Sequence, residues 1–167
     1  QVLLMRLSGQ SEMVIGTLTK GRNYEELETA LGLFAKYLPL HCHLNSTSLF
    51  SQALQQTQEK FAEINEWQDS FNWEQIQQDH EDITAYFLPF CFEFESLNNK
   101  YESGNICLSI FKQYACIDRF KIKCSCLELN DYLSIDFYYD CKLFNEENIN
   151  RLAGEFETLL QDVLANP

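Results

Sequence analysis

Residues 120–126 read Phe120-Lys121-Ile122-Lys123-Cys124-Ser125-Cys126, and residues 133–140 read Leu133-Ser134-Ile135-Asp136-Phe137-Tyr138-Tyr139-Asp140. Apolar and polar residues alternate through both runs, the period of a strand with one face against a core. Asn130-Asp131 lies between them and predicts a hairpin turn. Downstream the period changes. Asn145 predicts an N-cap, Glu146 and Glu147 suit the positive end of a helix, and Ile149, Leu152, Phe156, Leu159 and Val163 make one helical stripe. Upstream, Phe90, Phe92 and Phe94 alternate with Cys91, Glu93 and Glu95, and Ile106, Leu108 and Ile110 share a face. Phe50, Leu54, Thr57, Phe61 and Ile64 predict a long helix after the start cluster Asn45–Ser48. Leu38, Leu40, Cys42 and Leu44 predict a half-buried strand, with Pro39 pointing to a sheet edge or strand start. Asn23 with Glu26 resembles a capping pair, so a helix carrying Leu27, Ala30, Leu31 and Phe34 is expected after a strand at Met13–Leu18. Strand, helix, strand, long helix, several strands and a final helix predict an α/β fold. It is a two-layer sandwich with a mixed β-sheet and helices on one face.

Composition bounds what such a fold can do. The chain has 167 residues, 12 Lys plus Arg against 25 Asp plus Glu, and a formal net charge of −13. That is enough chain for one sizeable core, and 46% hydrophobic and 14% aromatic residues exclude a disordered segment. No basic stripe is present to neutralise phosphates, which argues against nucleic acid and against an anionic membrane surface as partners. No run is long and apolar enough to span a bilayer. Seven Cys, most inside apolar segments and without a regular spacing, predict reduced core thiols in a cytoplasmic protein. A first residue of Gln rather than Met suggests a piece of a longer polypeptide.

Chemistry-bearing residues are few. His41 and His43 could share a metal, but a third and fourth ligand are missing, so no metal site is expected. Cys124 and Cys126 flank one residue and share a face with Phe120 and Ile122, which favours core packing. Asp136 and Asp140 read as a solvated strand face, and Asp79, Glu81 and Asp82, around His80, as a solvated loop. No phosphate-cradling glycine loop and no nucleophile elbow occurs. The residues by themselves name no catalytic set.

Several segments, in order, resemble the C-terminal half of a nonribosomal peptide synthetase condensation domain, a family with a chloramphenicol-acetyltransferase-like fold. Leu3–Gln10 resembles a helix-end segment of that family, and Val14-Ile15-Gly16 through Gly21-Arg22 its strand ending in a Gly-Arg pair. Leu31-Gly32-Leu33-Phe34-Ala35-Lys36-Tyr37 through His41 is similar to the motif IGxFVNTxxxR, with Lys36 for Asn, Tyr37 for Thr and His41 for Arg. Trp67-Gln68-Asp69 through Ile76 resembles HQDYPFEQLV, with Trp67 for His. Leu88–Phe92 resembles the strand after the family's RNPL motif, which itself is not recognisable here. Arg119–Ile122 through Phe144 is similar to the closing hairpin, and the last helix, to Asn166-Pro167, completes the order.

The resemblance implies a single lobe over residues 1–167. With an N-terminal lobe and two peptidyl carrier proteins as partners, it would form a peptide bond between a carrier-bound acyl donor and an amine acceptor. Phosphopantetheine arms would enter as parts of the substrates, and no cofactor would be bound directly. The family's HHxxxDG motif lies on the other lobe, and no His-His pair occurs here. The isolated lobe is therefore expected to be inactive, with no catalytic residue of its own. The implied tunnel-lining positions are Gly16, Arg22, Phe34, Lys36, Gln68 and Asp69. Arg22 could instead anchor a carboxylate inside the lobe. A non-catalytic carrier-docking module, or a lobe of a coenzyme A-dependent acyltransferase, are the other functions this pattern would serve.

Overall fold

The computed structural model describes residues 1–45, 48–76, 87–97, 100–109, 114, 116–117, 119–129 and 132–165. A five-stranded mixed sheet organises them in the order β2-β1-β3-β6-β7, formed by β2 (Lys36–His43), β1 (Glu12–Thr19), β3 (Leu88–Leu97), β6 (Phe120–Leu129) and β7 (Tyr132–Tyr139). The two outer pairings, β1 with β2 and β6 with β7, are antiparallel. The two inner ones, β1 with β3 and β3 with β6, are parallel. Helices α1 (Val2–Ser8), α2 (Phe50–Trp67) and α4 (Glu146–Ala165) cover one face, while the short α3 (Trp73–Ile76) sits by the start of β2. A separate hairpin, β4 (Lys100–Ser103) with β5 (Ile106–Ser109), stands outside the main sheet. The predicted sandwich, with a mixed sheet and helices on one face, is the architecture observed.

The core forms where strand alternation meets the helical stripes. Ile15, Leu40, Cys42 and Leu44 are buried, with Val2, Leu4 and Met5 of α1 and Ala53 and Ile64 of α2 packed on them. Pro39 lies in β2, an edge strand, where its missing N–H costs no ladder bond. At the other end of the sheet Phe137 meets Phe156 of α4 edge to face at 5.9 Å. Asn145 caps α4 as expected, its Oδ1 accepting from the Asn148 N–H at 2.9 Å. Gly9 ends α1 in the left-handed conformation, with its N–H on the Met5 carbonyl.

Four local expectations are corrected. No α-helix follows Asn23: only Glu25–Leu27 makes a 3-10 turn, and Leu31 and Leu33 are fully exposed. The segment is the connection of an antiparallel hairpin whose last pair is Thr19 with Lys36, so its ends must meet. Gly21, at φ 64, lets the Phe34 carbonyl approach so closely that a Cβ there would sit 1.7 Å from its oxygen. In α2 the sheet takes Ala53, Thr57 and Ile64, leaving Leu54 and Phe61 exposed, so the buried stripe is narrower than the apolar one. Phe120 leaves the face it was expected to share with Cys124 and Cys126. Its ring lies over Gly16 and edge-on to Tyr37 on the opposite side. Ile106 and Leu108 are exposed rather than buried, because among the described residues no layer covers the β4–β5 hairpin. The acidic run at Asp79–Asp82, the turn at Asn130-Asp131, Ile110 and the ending Asn166-Pro167 lie outside the described residues.

Candidate substrate cleft

The first residues of β2 and the segments leading into β3 and β6 bring aromatic, cationic and acidic side chains together. Trp73 of α3 donates its indole N–H to the Tyr37 carbonyl at 2.7 Å, pinning α3 to β2. Phe87 stacks on Trp73 with ring centroids 4.5 Å apart, and Phe71 meets Trp73 edge-on at 5.0 Å. The Arg119 guanidinium lies 3.9 Å over the Phe87 ring. These groups, with Lys36, Asp69, Ser70, Asn72 and Gln75, wall a cleft of about 550 Å³. That size suits a small ligand.

Of the six positions singled out from the sequence, Lys36, Gln68 and Asp69 come together here. Lys36 Nζ donates to the Gln68 carbonyl at 3.3 Å and lies 3.6 Å from the Asp69 carboxylate. Gln68 is fully buried in a 3-10 turn after α2, where its amide N–H groups reach Asn23 Oδ1 and both oxygens of Asn65. It therefore joins the end of α2 to the long β1–β2 connection. Its own side-chain oxygen is buried without a hydrogen-bond partner among the described residues.

The other three positions build the frame. Arg22 Nη1 donates to the carbonyls of Leu27 and Ala30, and Nη2 to that of Gly32 at 3.4 Å. Its guanidinium packs over Phe34 at 4.5 Å. Arg22 thus anchors carbonyls rather than a carboxylate, and Phe34 serves as its platform. Gly16 makes room for Phe120, since a Cβ would come 2.5 Å from that ring.

The group that the sequence did not single out is a buried triad. Lys123, fully buried in β6, donates to the Tyr37 hydroxyl at 2.6 Å. That hydroxyl donates in turn to Glu93 Oε2 at 3.2 Å, which lies 3.5 Å from Lys123 Nζ. Charge burial of this kind is tolerated only when both ions are paired and hydrogen-bonded. A signal was available: Glu93 and Lys123 are charges embedded between apolar strand residues, facing each other through the pairs Cys91 with Lys123 and Glu93 with Ser125.

Elsewhere the chemistry is structural. His41 and His43 are exposed on β2, and His43 faces Glu12 at 3.7 Å. Among the described residues no group of three or more His, Cys, Asp or Glu is placed to hold a metal ion. The sulfurs of Cys124 and Cys126 lie 4.0 Å apart. Their mutual hydrogen bond, with burial, holds the Cys124 thiol well above its ordinary range, while the same bond lowers Cys126 against the upward push of burial. Asp136 is exposed on β7, and Asp140, just beyond that strand, accepts from the Lys142 N–H at 2.9 Å.

Comparison with known proteins agrees with this picture. The sequence model described as Condensation domain matches residues 1–167. Surfactin synthase subunit 1 of Bacillus subtilis (strain 168) is 27% identical over 173 residues, covering 99% of this chain and 5% of that protein. Gramicidin S synthase 2 of Brevibacillus brevis is 30% identical over 172 residues, covering 99% of this chain and 4% of that protein. Among solved structures, the starter condensation domain of rhizomide synthetase superposes with a TM-score of 0.75 at 15% identity, over 98% of this chain and 40% of that one. The first condensation domain of the calcium-dependent antibiotic synthetase, in complex with a substrate analogue, gives 0.72 at 13%, over 98% and 37%. The chain thus spans a small part of the synthetases it matches and well under half of each solved chain. With the match running the whole length of the sequence, and the mixed sheet and its helices shared, this chain belongs to the condensation domain family.

Proposed function

We propose that this chain is the C-terminal lobe of a condensation domain whose complete form makes an amide bond. In that reaction the acceptor amine nitrogen attacks the carbonyl carbon of a thioester carried on a phosphopantetheine arm. The C–N bond forms, the C–S bond breaks, and the amine's proton passes to the leaving thiolate. The family's HHxxxDG motif belongs to the other lobe, and no His-His pair occurs in this one. Its part is a wall: the cleft of Lys36, Asp69, Trp73 and Phe87, held from behind by the buried triad and by Gln68. The carrying observation is the family match over residues 1–167. An N-terminal lobe and peptidyl carrier domains are the partners, and a nonribosomal peptide synthetase of the cytoplasm is the setting, in keeping with seven free cysteines. Among the described residues no helix is long and apolar enough to cross a membrane.

Reconstitution tests it. Joined to its upstream lobe and given two loaded carrier proteins, the chain should yield amide product, and the 167-residue chain alone should yield none. A folded two-lobe protein without product would refute the assignment. A coenzyme A ester that replaced the carrier-bound donor at equal rate would move the chain to the soluble acyltransferases of this fold. One observation favours a non-catalytic docking module instead. The Tyr37 hydroxyl, at a position of the family motif, is engaged by Lys123 and Glu93. Carrier binding without turnover would establish that second function.

A further inference from the structure

One pair of reactive side chains has no part in the cleft. Cys124 and Cys126 stand two residues apart on β6 and share a side, with their sulfurs 4.0 Å apart and hydrogen-bonded to each other. Cys124 is half-buried and Cys126 buried. The register surrounds them with apolar residues: Phe92 and Phe137 flank Cys124, and Phe94 and Ile135 flank Cys126. Cys124 also lines a slot of about 70 Å³ with Leu152 and Phe156 of α4, which has room for an ion and little more.

The pair is badly placed for a disulfide. On an extended strand such residues are about 6.6 Å apart, and their side chains run parallel. A disulfide draws the β-carbons to about 3.5–4.5 Å. Oxidation would therefore have to break β6 between its ladders to β3 and β7. A metal ion asks for far less. Thiolate–metal bonds of roughly 2.3 Å let one ion bridge sulfurs up to about 4.6 Å apart, so the observed 4.0 Å needs only a side-chain adjustment. Zinc requires four ligands, and among the described residues no third His, Cys, Asp or Glu is placed to join the two. Magnesium and calcium require oxygen. Two thiolates by themselves suit a soft monovalent cation.

We propose that Cys124 and Cys126 form a two-thiolate site for a soft monovalent cation, of which Cu(I) is the biological example. On binding, both S–H bonds break and two S–Cu bonds form. Two protons pass to solvent, no electron is transferred, and the complex carries one negative charge.

An anaerobic Cu(I) titration tests it. Cys107, Cys116 and Cys141 are exposed, and replacing all three with Ser removes the accessible competing thiols. In that background the chain should take one equivalent of Cu(I) from bicinchoninate, and X-ray absorption at copper should show two sulfur neighbours. Excess Zn(II) should not displace the copper. Cys124→Ser should weaken binding by more than the ~100-fold that losing an outer-shell group costs, and Cys42→Ser should leave it unchanged. Cys126→Ser serves as the second variant if Cys124→Ser does not fold by circular dichroism. No uptake by the folded background chain, an unchanged affinity in either folded site variant, or three or more ligands at copper each overturns the proposal.

Discussion

Lys123 shows how much one buried side chain can organise. Its ammonium reaches the Tyr37 hydroxyl and the Glu93 carboxylate, tying β6 to β2 and β3 across the sheet. Such a pair adds little over an apolar substitute, but breaking it strands an ion in a dry place. Lys123→Met should therefore cost about 3–5 kcal/mol of stability. Glu93→Gln alone should cost a comparable amount, and the double variant clearly less than the sum of the two. Urea unfolding of the four proteins measures this directly, and additive losses would show that the ions do not depend on each other. The alternation at Phe92-Glu93-Phe94 was legible, but its sense was not. Glu93 is buried and Phe94 exposed, because the triad covers one side and, among the described residues, no helix reaches Phe94 on the other. Strand period tells which residues share a face, never which face the rest of the chain will cover.

At the scale of the element, the connection between β1 and β2 departs furthest from its local preferences. Asn23, Glu26 and the spaced apolar residues favour a helix, but the carbonyls of Leu27, Ala30 and Gly32 turn to Arg22 instead. Tertiary closure of the hairpin outweighs a helix propensity worth only tenths of a kcal/mol per residue. The guanidinium fork is what allows one side chain to serve several carbonyls, and an ammonium lacks that geometry. Arg22→Lys should loosen the connection. Limited chymotrypsin digestion at Leu31 and Leu33 should then run several-fold faster, with the unfolding midpoint lowered. Unchanged cleavage would show that Gly21 and the Phe34 crossing close the loop unaided. α4, by contrast, followed its sequence throughout. Its cap is local, Ile149 and Leu159 of its stripe are buried, and Phe156 meets Phe137 of β7.

Across the whole molecule, burial sorts the cysteines. Cys42, Cys91 and Cys126 are buried, whereas Cys107, Cys116 and Cys141 are exposed. Iodoacetamide under native conditions should label the second three within minutes and spare the first three until denaturant is added. Mass mapping of the peptides reads this out. Early labelling of Cys42 would mean that the face of β2 against α2 opens readily. The same distribution of burial explains why the cleft was partly visible beforehand. Lys36, Gln68 and Asp69 stand on two segments that meet because α2 packs along β2 and ends beside its first residue. Trp73, Phe87 and Arg119 carry no motif of their own. Phe87 and Arg119 meet because β3 and β6 run parallel and begin at the same end, and Trp73 joins them by donating its indole N–H to the Tyr37 carbonyl.

The sequence by itself determined the class of fold, the strand and helix periods, the cap of α4 and the family, since each rests on near neighbours or on the order of segments along the chain. The tertiary structure alone decided which strand face is dry, why Lys123 and Glu93 can be buried, and where Arg22 sends its donors. It also decided that Lys36 shares a cleft with an aromatic stack. Those outcomes depend on contacts between residues tens of positions apart, where burial and ion pairing set the energy and no local pattern records them.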